Sequence, residues 1–173
     1  MAQAANEKAT AQDGPLPPYS KWHIDTTIYD ESMNVVDSFE DTQELWLSPP
    51  NIAVRRTREL PDGRRVQYED RGRINEAFQI SGRTGFGGKY SGQLFPTGWV
   101  HTQGSEGAAS FHMVNTPLGE GHQCCLRIID VREPVPFLTA DNLEPGRYYV
   151  TTDDHLLSAS DEVPEEMKKP LVS

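Results

Sequence analysis

The sequence predicts an all-β protein: an antiparallel up-and-down β-barrel of about eight strands around a central cavity. Short segments alternate apolar and polar residues and are rich in β-branched side chains, the pattern of a half-buried strand. They are separated by turn signals at close intervals, as hairpins require. No segment of the 173-residue chain sustains an apolar stripe at helical spacing.

The elements follow in order. "WHIDTTIYD" alternates along its length, "DTQELWLS" and "NIAVRRTREL" follow with a Pro-Pro break between them, and "PDG" turns the chain into "RRVQYEDRGRI". Next come "EAFQISG", "GKYSGQLF", "GWVHTQ", "ASFHMVN" and "HQCCLRIIDV", divided by "TGFGG", "PTG", "GSEG" and "PLGEG". Consecutive short turns favour a meander, and closing it into a barrel removes the edges a free sheet would expose. A barrel of this size is either filled by its own side chains or holds one small ligand.

Composition sets the boundaries. Residues 1–18 are small, polar and proline-terminated, a disordered arm in composition or a lid over the barrel mouth; residues 19–157 form the barrel domain, and 158–173 a C-terminal tail. The N-terminus carries no apolar run and no stretch reaches the ~20 apolar residues of a membrane helix, so a cytoplasmic protein with no membrane partner is expected. A net charge of −10 argues against a nucleic-acid partner, and the basic runs "VRRTR" and "DGRRVQ" read as solvated strand faces. Pairing through a flat outer face would give a homodimer.

Several chemistries lack the residues they need. Cys124 and Cys125 are adjacent, so on a strand they point to opposite faces and do not form a disulfide with each other. His23, His101, His112, His122 and His155 are scattered without a His-x-His pair, although His101 and His112 could meet across adjacent strands; no metal and no cofactor is expected. Neither a Gly-x-Ser-x-Gly hydrolase motif nor a phosphate-binding loop is present.

The glycine-rich run "GRTGFGGKYSGQ", residues 82–93, marks a place where the backbone turns sharply or lies close to something. Its Thr84, Gly85, Gly88, Lys89, Tyr90 and Gly92, with "YDE" at Tyr29, Asp30 and Glu31 and a tryptophan at Trp99, resemble the small barrels related to allene oxide cyclase, in particular the bacterial spirotetronate cyclases that act as Diels-Alderases. The likeness covers about the middle half of the chain. Two features depart from it: Arg55 and Arg56 stand where those cyclases carry aromatic residues on the third strand, and "GRYYVTTDDHLL" adds length after Trp99. A lipocalin-like barrel accommodates that length, and "YSKWHIDTTIYD" is similar to its first strand in carrying a tryptophan.

The resemblance implies a cofactor-independent [4+2] cyclisation of a polyketide-derived polyene, in which the protein chiefly holds diene over dienophile and supplies a hydrogen-bond donor. Strand parity puts Trp99, His101 and Gln103 on one face, and a cavity-facing Trp99 would serve as a platform for the substrate or else as a plug. Tyr90 would donate its hydroxyl to a substrate carbonyl or cap its own turn. Trp46, Tyr68, His101, Phe111 and Met113 are the expected substrate-binding residues beside the catalytic pair Trp99 and Tyr90. The alternative is a lipocalin-like binder or carrier that holds an apolar small molecule without changing it.

Overall fold

The computed structural model describes residues 17–119 and 121–169. Among these residues ten strands form one closed antiparallel barrel: β1 (Tyr19–Asp30), β2 (Val35–Ser48), β3 (Asn51–Glu59), β4 (Arg65–Ile74), β5 (Gln79–Arg83), β6 (Lys89–Leu94), β7 (Val100–Glu106), β8 (Ala109–Gly119), β9 (His122–Val131) and β10 (Gly146–Ser160). Each strand pairs with its neighbour in sequence, and β1 pairs with β10 to close the ring. The up-and-down barrel is as expected, with ten strands where about eight were counted. β1 to β9 answer to the nine segments named above, "EAFQISG" and "GKYSGQLF" becoming the short strands β5 and β6, and the further strand is β10, which takes up "GRYYVTTDDHLL". No helix among the described residues is long and apolar enough to cross a membrane.

Alternation builds the wall. Along β1, Trp22, Ile24, Thr26 and Ile28 are buried while Lys21 and Asp25 are exposed, because successive side chains leave a strand on opposite faces. The inner set continues through Leu45 and Leu47 of β2, Val54 and Arg56 of β3, Tyr68 and Asp70 of β4, Phe111 and Met113 of β8, Arg127 of β9 and Val150 of β10.

One end of the barrel is plugged. Residues 132–145, between β9 and β10, fold back so that Val135, Phe137, Leu138 and Leu143 pack among Ile28, Tyr68, Phe111, Ile129 and Val150. A backbone bridge between Val135 and Leu143 pinches this loop, and Arg58 donates to the Leu138 carbonyl at 2.7 Å. Phe137 meets the rings of Tyr68 and Phe86 at centroid distances of 6.4 and 6.5 Å, within the range of favourable tilted aromatic pairs.

The C-terminus differs from a free tail. β10 runs on to Ser160, and the following residues fold over the outer face, where Met167 (0% exposed) packs with Val163 and Tyr19 against Trp46 and Ala53. Arg71 holds this segment by donating to the carbonyls of Glu166 and Met167, each at 2.8 Å, and to that of Lys169. Residues 1–16, which carry nearly all of the expected arm or lid, lie outside the described residues.

The basic runs are not solvated faces throughout. Arg56 and Arg58 are buried, each against a carboxylate, Asp41 and Asp37 respectively. A guanidinium with a private carboxylate can enter a barrel wall where a free one cannot.

Candidate functional site

A chamber of about 160 Å³ occupies the barrel interior on the side away from the plug. Its outer part is mostly aliphatic: Leu47, Ile52, Ile74, Ile80, Leu94 and Val100 stand next to the turns at the end opposite the plug, with Asn115 level with Val100. Deeper in, the wall turns polar, with Arg56, Tyr68, Asp70, Tyr90, Thr102 and Arg127. The site is therefore amphipathic along its depth.

Both deep arginines are internally matched. Arg56 grips Asp41 through Nε at 2.9 Å and Nη2 at 2.5 Å, and donates to Thr26 Oγ1 at 2.8 Å. Arg127 donates to Glu106 at 3.0 Å and lies over the Phe111 and Phe137 rings, 5.1 and 5.8 Å from their centroids. Their charge is consumed by the protein. What remains open is one hydroxyl and one carboxylate oxygen: among the described residues, the buried Thr102 Oγ1, which can donate or accept, and Asp154 Oδ1, which accepts, have no hydrogen-bond partner, and both residues line the chamber.

Asp70 is the carboxyl group most changed by its surroundings. Desolvation, then the nearby Glu106 charge, push its pKa up to about 7, opposed by a hydrogen bond from the Gly85 amide at 2.8 Å. A raised carboxyl pKa means that the fold favours the neutral acid. Relative to an unfolded carboxyl, the resulting stability is complete below about pH 4 and is lost as the pH rises to about 7. The stability difference between the wild type and Asp70→Asn should thus fall by on the order of 2–4 kcal/mol across that interval, less to the extent that solvent in the chamber screens the group. Urea denaturation of both proteins at a series of pH values measures it; a constant difference would refute the shift.

The glycine run now has its physical account. Tyr90 sits between Gly82 and Gly104 on neighbouring strands, and a Cβ on Gly82 or Gly72 would stand 2.7 Å from Tyr90 Cε1 or 2.5 Å from its hydroxyl. The ring lies across bare backbone where the sheet bends, an aromatic covering a glycine corner. Thr84 locks the turn by donating to the Ser105 carbonyl at 2.9 Å and accepting from the Gly88 amide at 2.8 Å. That corner also supplies the Gly85 amide that holds Asp70.

Of the residues expected at the site, Tyr68, Tyr90, Phe111 and Met113 all line the chamber. Three others do not. Trp99 precedes β7 in the turn and is 47% exposed. His101 faces outward with Gln103, into a groove on the outer surface that also includes Arg73 and Ser91. Trp46 points outward beneath the C-terminal segment. The physical reason is parity: Val100 and Thr102 take the inward positions of β7, and Leu45 and Leu47 those of β2. The tryptophan buried in the inner wall is Trp22, whose Nε1 donates to Ser20 Oγ at 2.9 Å. Asp70, Thr102, Arg127 and Asp154 were not singled out from the sequence, because a lone polar residue on a strand carries no local sign of which face it occupies.

Among the described residues, fold and site together define a closed antiparallel β-barrel, plugged at one end, with an amphipathic chamber toward the other. No family model and no curated protein matches the chain. Among solved structures it is similar to the ywiB protein from Bacillus subtilis, at 9% identity and a TM-score of 0.34, over 83% of this chain and 96% of that one.

Proposed function

We propose that the protein binds one compact, mostly apolar small molecule in the barrel chamber, with a hydrogen-bond-donating group, a hydroxyl or an amine, directed inward. The observation that carries this reading is the unpartnered Asp154 Oδ1, an acceptor, with the unpartnered Thr102 hydroxyl, which can accept the same donor or donate to the ligand, in a chamber with a mostly aliphatic mouth. Buried polar atoms are normally satisfied, and a bound molecule's donor is one way to satisfy them. The two arginines, already neutralised by Asp41 and Glu106, favour such a donor over an anionic head group.

Saturation-transfer NMR with small-ring alcohols and amines, benzyl alcohol first, tests the reading. Binding is expected in the wild type and in Trp99→Ala, and should drop at least about tenfold in Val100→Trp, which fills the mouth. Equal binding in Val100→Trp would overturn it.

A catalytic form of the same reading is a cofactor-independent cyclase. Asp70, with a pKa of about 7, and the Tyr90 phenol both line the chamber and could polarise a substrate carbonyl. The volume of about 160 Å³ lies below the roughly 300–1,000 Å³ of pockets that take drug-sized ligands, which favours a compact substrate over a long polyene. A product of unchanged mass, formed by the wild type and lost in Asp70→Asn, would support catalysis; its absence leaves the binder.

A further inference from the structure

We propose a second site, unconnected with the chamber: a transition-metal site on the outer wall formed by His122, Asp153 and His155, suited to a borderline divalent ion such as zinc. Register brings its members together. His122 of β9 pairs directly with His155 of β10, and His155 pairs on its other side with His23 of β1, so three imidazoles stand in one row across three adjacent strands. In the next row, Asp153 pairs with Asp25 and with Cys124.

The donor atoms converge. The Nε2 atoms of both histidines address one carboxylate: His122 is hydrogen-bonded to Asp153 Oδ1, and His155 lies 3.4 Å from Oδ2. One ligand atom from each of the three residues lies within 4.8 Å of the other two. The His122 and His155 rings are stacked, with centroids 4.5 Å apart and planes inclined by 10°, so the two strands present both imidazoles side by side.

Two imidazoles and a carboxylate are the donor set of many zinc sites, which need ligand atoms about 2.0–2.2 Å from the ion and complete a tetrahedron with water. Drawing atoms already within 4.8 Å of one another onto one ion takes side-chain rotation only, since all three side chains are at least a third exposed. The ion would cross-link β9 to β10, beside the β1–β10 pairing that closes the barrel. The other histidine pair, His101 and His112, also lies on the outer wall, with centroids 6.2 Å apart, but no carboxylate joins them in a comparable cluster among the described residues.

The test is isothermal titration of the chelator-treated full chain with zinc chloride. In a His23→Ala background, which removes the neighbouring His23–Asp25–Glu40 group, one saturable equivalent is expected, its affinity falling at least about tenfold on adding His122→Ala, His155→Ala or Asp153→Asn, and unchanged on adding His101→Ala. Circular dichroism verifies that these surface variants stay folded. Ring resonances of His122 and His155 should shift on zinc addition while those of His101 and His112 stay in place. Absence of saturable uptake, or uptake that survives the His122→Ala/His155→Ala double substitution, overturns the proposal.

Discussion

Asp41→Ala should lower folding stability by about 3–5 kcal/mol, because it leaves the Arg56 guanidinium buried without its counter-charge. Asp41 is fully enclosed; it accepts two hydrogen bonds from Arg56 and a third from Thr26 at 2.8 Å. The loss belongs to the uncompensated cation more than to the missing attraction. The double variant Asp41→Leu/Arg56→Met, which removes both charges and keeps their volume, should therefore be substantially more stable than Asp41→Ala. Urea denaturation of the three proteins decides it. A cost below about 1 kcal/mol for Asp41→Ala would mean that water reaches Arg56 from the chamber and solvates it.

Gly88→Ala comes next in expected size, at about 3 kcal/mol or more. A Cβ at this position would lie 1.6 Å from the Ser105 carbonyl oxygen and 2.3 Å from its carbon, and backbone atoms cannot rotate aside. Relief requires parting the β5–β6 turn from β7, which also breaks the Thr84 bonds to Gly88 and Ser105 and displaces the Gly85 amide from Asp70. Gly63→Ala provides the contrast. Gly63 has φ of 83° and open space around it, so its substitution costs only the backbone conformation, about 1–2 kcal/mol. Equal effects at the two positions would show that the corner has slack.

Parts of the molecule were legible from local pattern alone. The alternation of "WHIDTTIYD" announces a strand whose Ile24, Thr26 and Ile28 share a face, and that face is buried. "TGFGG" announces a corner, and Gly87 there has φ of 91°. The same alternation left Trp99 misread, since "GWVHTQ" offers a plausible inward set in either phase, and only pairing with β6 and β8 puts Val100 and Thr102 inside. Trp46 shows a second cause. It is buried, as a tryptophan on a strand suggests, but under Met167 from the far end of the chain.

By itself, the sequence determined the strands, their turns, the antiparallel meander and the glycine corner, since each depends on residues within a few positions of one another. Tertiary structure alone decided which face became the interior, how residues 132–145 plug one end, and how His122, His155 and His23 come into line. Those outcomes depend on register and closure, and a side chain's neighbours across a sheet are set by the pairing of distant segments.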